Sequence, residues 1–174
     1  ADFNLVSHSG QGIARNYDNA GPGYNMPHRY KQLFNTAKEP LWEPSMGAYT
    51  PDVVVIYLGT NDFSTGQQPA EASFRSNYIS LLQSIKANYG EETPVLCMGS
   101  NANPYLYDYI RSAVTVSGLK NVAYMTVSDF AHDYEGVMGA SRHPNYKGHI
   151  KVASCMIPYI ATLTGWEMEE KPYK

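Results

Sequence analysis

Residues 53–63, Val-Val-Val-Ile-Tyr-Leu-Gly-Thr-Asn-Asp-Phe, constrain this chain more than any other stretch. The unbroken run Val53–Tyr57 reads as a strand buried on both faces, the pattern of a parallel sheet with helices above and below it. It ends in the tight turn Leu58-Gly59, after which Asn61 and Asp62 are presented. In open parallel sheets, ligands and chemistry sit at the carboxyl ends of the strands. An Asn held on such a turn aims its amide N–H at a fixed point, as stabilising an oxyanion requires. The bland reading of the same pair is a turn that caps backbone amides.

The remaining sequence supplies the partners of that strand. Phe3–Val6 reads as a short strand leading into the glycine-rich turn Ser9-Gly-Gln-Gly12. Residues 13–50 are mostly loop, rich in Gly, Pro, Asn and Tyr, with a short helix around 27–36. Loops of this length in a compact domain are usually functional. Between Pro69 and Tyr89, the residues Ala70, Phe74, Tyr78, Leu81, Leu82, Ile85 and Tyr89 form one apolar helical face that stops at Gly90. A strand at 94–99, a helix at 105–116 closed by Gly118, a strand at 121–127 and a loop at 128–141 follow. The last helix, 145–165, carries Tyr146, Ile150, Ala153, Ile157, Ile160 and Leu163 as its inner face and is expected to kink at Pro158. Alternation of this kind implies one α/β domain, here residues 1–166, with a charged, loose tail at 167–174.

Composition excludes several classes of partner. A net charge of −3 over 174 residues suggests neither a nucleic acid nor an anionic membrane surface. No apolar run approaches the ~20 residues of a membrane span. Cys97 and Cys155 read as two small buried hydrophobes rather than a disulfide or a metal pair, and no zinc spacing exists. No metal and no cofactor are implied. Fifteen tyrosines against five phenylalanines favour surfaces with an apolar face and a polar tip, which suits sugars and wet protein surfaces alike.

Three motifs fall at carboxyl ends of strands or just before a helix: Ser7-His-Ser-Gly10-Gln-Gly12, Gly59-Thr-Asn61-Asp62 and Ser141-Arg-His143-Pro144-Asn145. Topology brings these turns to one rim of a parallel sheet. A backbone N–H from Gly10, the amide of Asn61 and the imidazole of His143 are then parts of an acyl-transfer site that lacks its nucleophile. Proline after His143 disfavours helical backbone there, so the imidazole projects from an extended segment. Asp62 reads as structural, holding the turn.

These motifs resemble blocks two, three and five of the SGNH (GDSL-type) hydrolases. The wording Ser9-Gly-Gln-Gly12 with Arg15-Asn-Tyr17, Leu58-Gly-Thr-Asn-Asp-Phe63 and Arg142-His-Pro-Asn145 is most similar to the carbohydrate esterases of family two. The resemblance implies a three-layer α/β/α sandwich with a parallel, flavodoxin-like sheet. It also implies His143 as catalytic base, and Gly10 and Asn61 as two of three oxyanion donors. Arg15 and Asn16 become candidates either for substrate binding or for holding their loop, and Phe63 a candidate for lining the acyl pocket. Tyr17, Tyr24, Trp42, Tyr105 and Tyr107 lie in or beside rim loops, open between sugar stacking and loop packing.

Two departures from the family pattern matter. Most relatives place Asp three residues before the histidine, where this chain has Ala140. A backbone carbonyl of Ser141 or Arg142 is expected to replace the acid in a Ser–His dyad, with Asp133 the alternative carboxylate. The second departure is the absence of block one, Gly-Asp-Ser on the first, central strand. Without that strand two sheet edges lose their partners, at roughly 1–3 kcal/mol for each buried group left unsatisfied. The chain is therefore expected to be the C-terminal portion of a longer protein whose upstream segment carries the serine.

The expected activity is removal of acetyl groups from plant polysaccharides, xylan or a relative, by a secreted serine esterase. The alternatives are a noncatalytic carbohydrate-binding relative that kept the cleft, and an esterase acting on lipid or aryl esters.

Overall fold

The computed structural model describes residues 2–19, 24–32, 49–100, 103–127 and 136–169. Trp42 and Asp133 lie outside them. Three strands, β1 (Val54–Tyr57), β2 (Val95–Ser100) and β3 (Val122–Val127), pair in parallel in the order β1-β2-β3, with Val55 opposite Leu96 and Leu96 opposite Ala123. Among the described residues four α-helices accompany them: α1 (Met26–Arg29), α2 (Glu71–Tyr89), α3 (Pro104–Ser117) and α4 (Tyr146–Thr164). The two helices α2 and α3 cover one face of the sheet, and α4 packs over β2 and β3 on the other. This is the expected three-layer α/β/α arrangement with a parallel sheet.

Helix ends follow from local chemistry. Asn103 caps α3 by accepting the Tyr105 N–H at 2.9 Å, with Pro104 in the first turn where its missing donor costs nothing. Gly118 and Gly165 close α3 and α4 in the left-handed region. The α4 helix runs unbroken across Pro158. On the α2/α3 side the core joins Phe74, Tyr78, Leu82 and Ile85 of α2 to Ile56, Val95 and Cys97 of the sheet and to Leu106 and Ile110 of α3.

The structure corrects several readings. Residues 2–8 form no strand, and Phe3 and Leu5 are 80% and 77% exposed; no described strand lies beside them to complete a ladder. The first helix is a single turn. β1 is buried on one face only: Ile56 is in the core, whereas Val55 and Tyr57 are exposed because α4 does not reach over β1. The buried line of α4 runs through Gly148, Val152, Met156, Ile160 and Leu163, so Tyr146, Ile150, Ala153 and Ile157 face solvent. That helix is apolar on two adjoining faces, and periodicity alone could not say which one meets the sheet. Both cysteines are free; Cys97 is buried as expected, but Cys155 is exposed on α4.

Candidate active site

The site is built around Asp62. Its carboxylate is buried and accepts three successive backbone N–H groups: Ile13 at 2.8 Å, Ala14 at 2.7 Å and Arg15 at 2.9 Å. Burial pushes the Asp62 carboxyl above its ordinary pKa, against backbone hydrogen bonds that favour the charged form. Arg15 answers from the other side, donating to the Asp62 carbonyl at 3.0 Å, to the Ser64 carbonyl at 3.1 Å and to Thr65 Oγ1 at 3.2 Å. Two loops far apart in sequence are thereby fastened along several residues.

The close approach needs Gly12. A Cβ there would strike both the Arg15 carbonyl and the Asp62 carboxylate, so no larger residue fits without moving the loop. Asn16 is buried too; its Oδ1 accepts the Gly12 N–H at 3.2 Å and its amide donates to Tyr24 O at 3.3 Å. Arg15 and Asn16 thus hold the loop, the second of their two expected roles. Gly12 is the residue that sequence reasoning passed over. Its only signal was its place in the Gly10-Gln-Gly12 turn.

Within this frame Asn61 stands beside the Gly10 loop. Its Nδ2 donates to Gln11 O at 2.8 Å, which uses one of its two amide hydrogens and fixes the plane of the side chain. Gly10 adopts φ +74°, its carbonyl accepts the Tyr17 N–H at 2.8 Å, and no described residue accepts from its own N–H. Gly10 and Asn61 are therefore brought together. Phe63 is not part of this edge. It is 8% exposed and packs its ring on Tyr109 and Phe74 within the core, with centroids 5.5 and 6.3 Å away. Of the rim tyrosines, Tyr17 and Tyr105 are exposed, Tyr24 stacks edge-on to His28 and Tyr107 packs against Tyr124.

His143 sits on a separate small turn. Met138 and Pro144 form an antiparallel bridge, and the Gly139 N–H donates to His143 O at 2.7 Å. Asn145 holds this turn by donating to Gly136 O at 3.1 Å and accepting the Gly148 N–H at 3.0 Å, so one side chain closes the turn and caps α4. His143 has the extended backbone expected before proline, φ −87° and ψ 149°. Its Nδ1 lies 3.3 Å from the carbonyl of Ala140, the residue that replaces the family's Asp, rather than from Ser141 or Arg142. No hydrogen bond joins His143 to Gly10 or Asn61 among the described residues. No group of three or more His, Cys, Asp or Glu that could hold a metal occurs among them either.

Comparison with known proteins follows the same outline. The family model for GDSL-like lipase/acylhydrolases matches residues 3–156. An acetylxylan esterase / glucomannan deacetylase of Cellvibrio japonicus is 26% identical over 95% of this chain and 46% of its own length. The cellulase/esterase CelE of Acetivibrio thermocellus is 30% identical over 95% of this chain but only 20% of its own. A family two carbohydrate esterase from Clostridium thermocellum, solved in complex with cellohexaose, superimposes with a TM-score of 0.72 at 27% identity, covering 91% of this chain and 49% of that one. The chain thus spans about half the length of these relatives, and a fifth of CelE. With motifs, sheet and family model in agreement, the chain belongs to the GDSL-like lipase/acylhydrolase family.

Proposed function

We propose that this chain carries the base and two oxyanion donors of a secreted serine esterase that removes acetyl groups from plant polysaccharides such as xylan. The serine is assigned to polypeptide upstream of residue 1, and residues 1–166 to the corresponding part of the hydrolase domain. The observation that carries the reading is the latched pair of loops. It ties the Asn61 amide to Gln11 O, the carbonyl next to Gly10, and the Gly10 N–H meets no acceptor among the described residues. The relatives named as acetylxylan esterase and the neighbour bound to cellohexaose support the choice of substrate class.

In this reading the serine Oγ attacks the acetyl carbonyl, and the proton passes to His143 Nε2. The carbonyl oxygen, now negative, accepts from Gly10 and Asn61. His143 then returns the proton to the departing sugar hydroxyl. The Ala140 carbonyl, accepting from Nδ1–H, keeps Nε2 free as the base in place of an acid.

The test is to express the gene from its own start codon and treat the product with a fluorophosphonate. A single modified serine ahead of residue 1, with acetate released from acetylated xylan, is the expected result. A modified serine within 1–174 would relocate the nucleophile. Retained binding of cellohexaose with no acetate release would favour the noncatalytic carbohydrate binder.

A further inference from the structure

Two hydroxyls meet across the ends of neighbouring strands. Thr60 Oγ1, just past β1, lies 3.2 Å from Oγ of Ser100, the last residue of β2. The strand ends beneath them are packed tight: Gly59 turns at φ +115°, and a Cβ on Gly59 or on Gly99 would press on Leu106 of α3. Thr60 is thus held by that packing before it and by the Asp62 latch after it. The pair has bonding capacity to spare. A hydroxyl offers one donor and two acceptor sites, so a single bond between two hydroxyls leaves one O–H and several lone pairs unspent. No other hydrogen bond reaches either oxygen among the described residues. Hydroxyls on the helices behave differently: Ser84, Ser154 and Thr162 each donate to the carbonyl four residues back, at 2.9, 2.9 and 2.8 Å. Thr60 is exposed and Ser100 half-buried, at the strand ends where parallel sheets take their ligands.

We infer that Thr60 and Ser100 form the subsite that grips the sugar ring carrying the acetyl group, by exchanging hydrogen bonds with a free hydroxyl beside the acetylated one. The inference rests on the esterase reading above. Thr60 and Asn61 are chain neighbours with different partners: Asn61 reaches the Gln11 carbonyl at 2.8 Å, and Thr60 reaches the end of β2. An acetyl carbonyl received by Asn61 is joined to its sugar through one bridging oxygen. The ring therefore comes to rest against the residues bordering Asn61. Two adjoining oxygens that together give one proton and accept others complement a sugar hydroxyl, which must do both. The same chemistry selects among substrates. A second acetyl group on the neighbouring carbon removes that hydroxyl's proton and adds bulk, so singly acetylated sugars are preferred to those acetylated at both positions. A purely structural role for the pair adds little, because the ladder from Val54 to Tyr57 already joins these strands.

The test assays the full gene product on a methyl xyloside bearing one acetyl group and on p-nitrophenyl acetate, which has no sugar. Thr60→Val and Ser100→Ala are each expected to lower the ratio of kcat/KM on the sugar ester to kcat/KM on the aryl ester by roughly 3–10-fold, mostly through KM on the sugar ester. Thr60→Ser, which retains the hydroxyl, should keep the wild-type ratio. The wild type should also favour the singly over the doubly acetylated xyloside. A ratio unmoved in one variant removes that residue, and a ratio unmoved in both overturns the subsite while sparing the esterase reading. Equal turnover of the two xylosides overturns the contact with a free hydroxyl. Hydrolysis of neither ester by the wild type overturns the esterase reading instead. The subsite is then decided by calorimetry with xylohexaose: weaker binding by both variants keeps it, and unchanged or absent binding removes it.

Discussion

Arg15 and Asp62 hold each other from both directions: the Arg15 N–H meets Asp62 Oδ1 at 2.9 Å, and the guanidinium meets the Asp62 carbonyl at 3.0 Å. Around this pair the loop bearing Gly10 and the turn bearing Asn61 behave as one body. Asp62→Asn swaps an acceptor for a donor in front of buried N–H groups and should cost about 2–3 kcal/mol of stability. Urea unfolding of residues 1–174 checks it. An unchanged midpoint would show that the loops are held by something else.

For Asn61 the prediction concerns rate. On the proposed esterase reading, Asn61→Ala in the full gene product should lower kcat on p-nitrophenyl acetate by roughly 10²–10³ with a much smaller change in KM. His143→Ala should abolish turnover. Wild-type rates in either variant would remove that residue from the mechanism.

Phe63 follows directly after Asn61 and Asp62 yet packs on Tyr109 and Phe74. Phe63→Ala should therefore destabilise the chain by about 3–5 kcal/mol, whereas an acyl-pocket residue would show its effect in the preference between acetyl and longer acyl esters. A chain-length series on the purified variant, alongside its melting curve, separates the two.

Lys86 is a buried ammonium whose three donors are all used, to Glu91 O at 2.9 Å, Thr93 O at 2.6 Å and Lys120 O at 2.7 Å. It ties the end of α2 to the segments entering β2 and β3. Lys86→Met leaves three carbonyls without their donor and should lower stability by about 2–4 kcal/mol, read from chemical denaturation.

The thiols should separate cleanly. Burial pushes the Cys97 thiol up to about 12, and Cys155 is exposed. Iodoacetamide at neutral pH should add one carbamidomethyl group, at Cys155, with Cys97 reacting only after denaturation. Peptide mass mapping settles the order.

Where one periodicity dominated, the sequence was legible. Phe74, Tyr78, Leu81, Leu82 and Ile85 were named as one face of α2, and all are buried. The β2 and β3 strands and their parallel order followed from alternation with helices. Around Val55 and Ile150 the reading failed for a shared reason, because hydrophobicity records what a residue is suited to meet, and these two are only partly covered by the described residues. Gly12 and Phe63 failed differently. Close backbone approach and side-chain direction are three-dimensional facts, and neither leaves a trace in residue spacing. The Asn61 and Gly10 turns were legible as neighbours because both follow a glycine-rich pattern at the rim, but the carbonyl facing His143 was placed one or two residues too late.

Asn145 does two jobs at once, buttressing the turn that displays His143 and starting α4. Winding of the first turn of that helix and presentation of the imidazole are consequently a single event. Anything that presses on the first turn of α4 therefore has a mechanical lever on the His143 imidazole.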